Sequence, residues 1–235
     1  MKHLKTTLSG LALTTLTLCA GGAFAAPATQ SGIAAIRAMA QTQKGKVPVA
    51  LFDVSEDSED IYDQAFAANW SKAGSALTTI ERDAATLTRT QPQLHRRAAQ
   101  LQSLVSAAKR DIAAKDRPAA LRDINQMTRL TIEMGAAYAA PIPVEVSLLD
   151  YYGRELQVWA IAGNRAHLQS TLSALQTTWH KVRPQVVARP NGAQAVRGFD
   201  ALVSRAKSAQ SAAGVSKVAA PLLEEVDRLE NVFGA

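Results

Sequence analysis

Cysteine is almost missing from this 235-residue chain, and the single one, Cys19, lies in an N-terminal segment typical of a cleavable signal. Once that segment is removed no thiol remains, so disulfides, covalent haem, iron–sulfur clusters and thiolate zinc sites are excluded. Aromatic residues make up 5% of the sequence, charged residues 20% and hydrophobic residues 47%. Such proportions are typical of an ordinary globular protein, neither disordered nor fibrous.

Motifs of the common enzyme classes are missing as well. The chain has no pair of histidines flanking a glutamate on one helix, no nucleophile elbow and no Gly-rich phosphate loop. We therefore identify no candidate catalytic residue and expect no cofactor. An enzyme whose site is assembled from scattered residues stays open.

Residues 1–25 have the three parts of a secretory signal peptide. A basic start is followed by the uncharged run Leu8–Leu18 and by the small-x-small site Ala23–Ala25. The run is shorter than the about 20 residues of a membrane-spanning helix. We expect cleavage after Ala25, a periplasmic or secreted protein and no transmembrane span in the mature chain. Lipid attachment is disfavoured because a leucine, not a small residue, precedes Cys19.

The segment 26–65 differs from the rest of the chain in its proline, glycine and acidic residues. Six of the 20 acidic residues fall within Asp53–Asp63. We predict a partly irregular, acidic N-terminal segment in which this stretch is a solvated loop. The alternative is that it lies against the more basic remainder of the chain.

From Phe66 onward, apolar residues recur at spacings of three and four, which is typical of amphipathic helices. Helix ends are predicted at breaking or capping residues, namely Thr90–Gln93, Asp116, Pro141, Gly163–Asn164 and Gly214, and Pro184 is expected to kink or end its helix. The short links favour antiparallel neighbours. The sequence therefore predicts an all-α fold, an antiparallel bundle of five to seven helices that occupies residues 66–235.

The residues best suited to hold a metal ion are scattered. His167 and His180 are thirteen positions apart on one predicted helix, which places them on opposite faces. His95 lies on another helix, and Met127 and Met134 have the spacing of residues that fill a helical core. We predict no tight metal binding; these five residues would be the first ligands to test.

The segment 148–159 is the most distinctive one after the signal. Asp150 and Arg154 have the i, i+4 order of an ion pair, on a helix that also carries apolar residues beside them. We favour burial of this pair over exposure to a partner. The candidate ligand or partner surface consists of Asp150, Tyr151, Arg154, Glu155, Val158 and Ile161.

A net charge of +6 is spread along the chain, which makes nucleic acid a poor fit as a partner. The sequence predicts an exported helical-bundle binding or interaction protein without catalytic activity, whose partner is an unknown protein or small ligand. One alternative is a metal- or cofactor-binding bundle in transport, storage or stress tolerance. The other is an enzyme with an unrecognised site.

Overall fold

The structure, a computed structural model, describes residues 47–138, 140–209 and 211–234. The predicted signal peptide with Cys19, and residues 26–46, lie outside the described residues. All regular structure within the described ranges is helical, which confirms the all-α prediction. There are eight α-helices in these ranges, one more than the upper end of the prediction. None of them is long and apolar enough to cross a membrane.

The helices follow one another with short links. They are α1 (Val49–Phe66), α2 (Trp70–Thr90), α3 (His95–Ala114), α4 (Arg117–Gly135), α5 (Val144–Ile161), α6 (Arg165–Val187), α7 (Gly192–Ser208) and α8 (Ala212–Gly234). A single 3-10 turn, Pro92–Leu94, connects α2 to α3.

The eight helices pack as two four-helix bundles. Helices α1 to α4 contact one another in a closed ring, and α5 to α8 form a second ring. Each ring encloses its own hydrophobic core. The bundles are joined where α4 packs on α5, and Val158 of α5 is buried in the core of the first bundle. Trp159 packs against both cores, so α5 is the element that the two bundles share.

The predicted apolar stripes form these cores. Leu77, Ile80 and Leu87 of α2 are fully buried, as are Leu175 and Val182 of α6. Burial of one stripe per helix supplies the main driving force for packing.

Two predicted helix starts are confirmed by their caps. The side chain of Asp116 accepts a hydrogen bond from the backbone N–H of Ala119, at 3.2 Å. Asn164 does the same for His167 at 3.1 Å. Gly163, directly before Asn164, has φ +65°, a conformation that glycine adopts at low cost.

The acidic stretch Asp53–Asp63 is not the loop that we expected, because it lies within helix α1. Leu51, Val54, Ile61 and Ala65 form an apolar face that is buried in the first bundle. The acidic side chains occupy other positions of the helix. Because acidic residues are so frequent in this stretch, the helical spacing of its apolar residues could not be recognised in the sequence.

Two other predicted helix ends were misplaced. Pro184 lies inside α6, and Gly214 lies in the first turn of α8, a few residues after α7 has ended at Ser208. A proline removes one backbone donor, but tertiary packing holds the helix across it. Val182 and Val186, on either side of Pro184, are fully buried and keep α6 continuous.

Candidate functional site

The surface where the two bundles meet contains an unusual number of charged side chains. Ten of the 18 residues of α5 are buried, among them Asp150, Arg154 and Glu155. Buried charges are costly unless they are paired. Each of these three charged side chains therefore needs a partner within the junction.

Arg154 is the centre of the junction. Its Nε donates to Oδ2 of Asp150 at 2.8 Å, and its Nη2 donates to Oε2 of Glu59 in α1 at 3.1 Å. Asp63 Oδ1 is 3.6 Å from Nη1, and the guanidinium carbon lies 5.1 Å from the ring centre of Tyr62. One buried cation thus connects α1 of the first bundle to α5 of the second.

Helix α8 adds two further carboxyl groups beside this cation. Burial, and then the charges of Asp150 and Asp227, raise the pKa of Glu230 to about 8. Asp227 is exposed at the surface of α8, where partial desolvation and the charge of Asp150 raise its pKa to about 6. Arg154 acts in the opposite direction on both pKa values, but the single guanidinium does not offset its acidic neighbours.

The two carboxylates of α1 are affected in the same direction. Burial and the charge of Asp150 hold the pKa of Glu59 well above its usual value. Partial desolvation by the neighbouring protein also raises the pKa of Asp63. The Asp63 side chain is 71% exposed, against 36% for Glu59, so water weakens its interactions. Glu59 and Glu230 are therefore the two carboxyl groups whose protonation affects the contact between the bundles most strongly.

On its other side, α5 is joined to α4 by hydrogen bonds from uncharged amide side chains. Asn125 donates from Nδ2 to Oε1 of Glu155 at 3.3 Å and to the carbonyl of Tyr151 at 3.2 Å. Gln126 donates to the Tyr151 hydroxyl at 2.9 Å. These bonds fix α5 against the first bundle. Within α5, Trp159 donates from Nε1 to Oε2 of Glu155 at 2.5 Å and so orients this carboxyl group.

The structure brings together the residues that the sequence singled out. Asp150, Tyr151, Arg154, Glu155 and Val158 are all buried at the junction, whereas Ile161 is 38% exposed at the end of α5. Burial of the Asp150–Arg154 pair, which we favoured, is confirmed. Their role towards a ligand or partner stays a prediction.

The residues considered for metal binding do not converge. The three histidines are exposed: His95 at the start of α3, and His167 and His180 on α6. In contrast, Met127 and Met134 are buried in the first core. His167 stacks on Trp159 with ring centres 4.1 Å apart. Within the described ranges, no group of three His, Cys, Asp or Glu side chains is placed to hold a metal ion.

A groove of about 910 Å³ lies between α7 and α8 in the second bundle. Its lining includes Asn191, Gln194 and Arg197 from the α7 side, and Arg228 and Asn231 from α8. Glu225 is buried below and is paired with Arg228, with Nη1 and Oε2 2.5 Å apart. None of the residues that line the groove contacts Arg154.

Sequence analysis missed Glu59, Glu230, Asn125 and the groove. The acidic partners of Arg154 come from α1 and α8, which are about 90 and 75 positions away in the chain, and no local spacing joins them. The sequence of α5 combines charged residues with apolar residues on several faces, which indicates a buried helix. A buried arginine requires acidic partners, so this pattern predicts that such partners exist but not where they lie in the chain.

Comparison of the chain with protein-family models, with curated proteins and with solved structures finds no match. The fold therefore defines only a class: an all-α protein in which two four-helix bundles share a charged junction.

Proposed function

We propose that this chain is an exported interaction protein without catalytic activity of its own, whose two bundles close on one another as the medium becomes acidic. The observation that carries the proposal is the placement of carboxyl groups from α1, α5 and α8 around Arg154. The signal-like N-terminus supports export, because an exported protein experiences the pH of its surroundings.

The carboxyl groups near Glu230 belong to three helices, α1, α5 and α8 itself. Glu56 on α1, Asp150 on α5 and Asp227 on α8 all raise its pKa, and Arg154 alone lowers it. When Glu230 loses its proton, α8 carries a negative charge opposite those of α1. Repulsion between these helices then acts across the surface that joins the two bundles.

Acidification has the reverse effect. As pH falls through the pKa of Glu230, about 8, and then through that of Asp227, about 6, both carboxyl groups become neutral. The repulsion is lost, while Arg154 can still donate to Glu59 across the two bundles, because a protonated carboxyl group keeps an acceptor oxygen. The closed arrangement is therefore the acid form, and loosening at higher pH presents junction surface to a partner.

Inter-bundle distance tests this directly by fluorescence energy transfer. Ser103 in α3 and Ser173 in α6 are exposed and lie in different bundles, so cysteines there report the separation. The mature chain has no other cysteine to label. We expect transfer efficiency to rise as pH is lowered through the pKa of Glu230.

Two controls make the test specific. A pair at Ser75 and Ser103 lies within the first bundle, so its transfer efficiency should not change with pH. The variant Glu230→Gln should remove the change in transfer efficiency around the pKa of Glu230, about 8. If wild type shows one efficiency throughout, the proposed closure is wrong.

A further inference from the structure

The groove between α7 and α8 has the dimensions of a small-molecule site. Its volume of about 910 Å³ falls within the range of about 300–1,000 Å³ that is common for such sites. Two helices of one bundle form it, so its shape does not depend on the junction between the bundles.

Three exposed amide side chains line this groove. Among the described residues, Asn191, Gln194 and Asn231 form no side-chain hydrogen bond, and the Asn191 side chain does not cap α7. An amide group offers both donors and an acceptor. Hydroxyl groups also donate and accept, so three free amides match a ligand that carries several hydroxyls.

The charge of the groove is positive. Glu225 is already paired with Arg228, whose side chain is 65% exposed and is held at the groove by that contact. Arg197 has no acidic partner within the described ranges. Its charge is therefore available to a ligand, and guanidinium groups bind carboxylates and phosphates through paired hydrogen bonds.

Close packing of the two helices fixes the position of Arg228. Gly198 of α7 lies directly over Glu225, where an added Cβ would be 2.5 Å from Oε1. A larger residue would displace this carboxylate. The glycine thus allows Glu225 to remain buried and to orient Arg228 towards the groove.

We propose that this groove binds a small, hydroxyl-rich anion of the sugar-acid or sugar-phosphate class. Arg197 and Arg228 contact the anionic group, and the amides of Asn191, Gln194 and Asn231 contact the hydroxyls. This site is separate from the proton-dependent closure, and either can fail without the other.

Calorimetric titration with glucuronate, glucose 6-phosphate, glucose and inorganic phosphate tests the proposal on the mature chain. We expect both sugar anions to bind at least about tenfold more tightly than glucose, since charge-assisted hydrogen bonds are the stronger kind. They should also bind more tightly than inorganic phosphate, which lacks the hydroxyls. Equal affinity for glucose and glucuronate, or no binding of either sugar anion at millimolar concentration, would overturn the proposal.

Variants separate the two kinds of contact. Arg197→Gln should weaken glucuronate binding by about tenfold, whereas Arg205→Gln, an exposed arginine of α7 outside the groove, should not. Asn231→Ala should weaken the sugar anions but not inorganic phosphate. All three positions are exposed, so the fold is retained and circular dichroism checks it. An unchanged affinity in Arg197→Gln contradicts the assignment.

Discussion

At the scale of single residues, Arg154 shows why a buried charge is informative. Its guanidinium meets Asp150 and Glu59 at hydrogen-bond distance, so its burial is tolerated only because both partners are present. An arginine and an aspartate four positions apart are usually a weak surface pair. Here the contact from Glu59 turns them into the connection between two bundles.

Replacing Arg154 with alanine should therefore be strongly destabilising. Asp150 would remain 9% exposed without its cation, and we expect a loss of about 3–5 kcal/mol at neutral pH. Urea denaturation followed by circular dichroism measures the change. Arg97→Ala removes an arginine whose pair with Glu133 is about 40% exposed, and should cost less than about 1 kcal/mol. Equal losses in the two variants would show that the Arg154 pair is not structurally buried.

Trp179 is the second residue with a predictable energetic role. Its side chain is 2% exposed, and its ring lies 4.5 Å from that of Phe199 at an angle of 41°. Its Nε1 donates to Asp200 at 2.7 Å. Trp179→Ala should cost about 3–5 kcal/mol in free energy of unfolding. Val187→Ala, at a 50% exposed position of α6, is the comparison and should change stability by less than about 0.5 kcal/mol. A loss below about 1 kcal/mol for Trp179 would contradict its place in the core.

At the scale of helices, glycines decide how closely neighbours approach. Gly153 of α5 faces α8, and a Cβ there would be 2.6 Å from Cδ2 and 3.1 Å from Cγ of Leu223. At Gly74 of α2 the nearest atom, Cγ2 of Ile112, would be 3.6 Å away, an ordinary contact. Both glycines lie inside helices, where alanine is the better helix former.

Alanine substitutions at these positions should have opposite effects. Gly153→Ala should destabilise the protein by about 1–3 kcal/mol because it overpacks the α5–α8 contact. Gly74→Ala should stabilise it by about 0.5–1 kcal/mol. Thermal unfolding of both variants measures the difference. A stabilising effect of Gly153→Ala would mean that α5 and α8 pack less closely than described.

At the scale of the whole molecule, stability should depend on pH through the junction. Glu230 has a pKa of about 8 in the folded chain, above the value of an unfolded glutamate, so folding takes up a proton. Its contribution is fully present below the pKa of an unfolded glutamate, about 4.3, and is lost progressively as pH rises from there to about 8. We expect the free energy of unfolding to fall by up to about 1.4 kcal/mol per pH unit on that rise.

Chemical denaturation of wild type and Glu230→Gln across this pH range measures the dependence. The variant cannot ionise, so the two proteins should be similar below the pKa of an unfolded glutamate, about 4.3, and the variant should become progressively more stable than wild type up to pH about 8. Glu81→Gln, at an exposed ion pair of the first bundle, controls for the loss of one carboxylate. Identical pH profiles for wild type and Glu230→Gln would contradict the assignment.

The predicted export also concerns the whole molecule. The small-x-small sequence Ala23–Ala25 predicts that the mature protein begins at Ala26. N-terminal sequencing of protein from the exported fraction checks the site. A lipid-modified Cys19 would contradict export as a free protein.

The sequence by itself determined the helical class and most of the two cores. The apolar spacing of α2, α3 and α6 and the caps Asp116 and Asn164 are local signals, and each acts within one or two turns of its own helix. Tertiary structure decided that α1 is a helix, that Pro184 lies within one, and that the helices separate into two bundles. Packing energy across distant segments outweighs local preference at those points. The junction follows the same rule, because Glu59, Arg154 and Glu230 meet only after three helices from different parts of the chain have packed together.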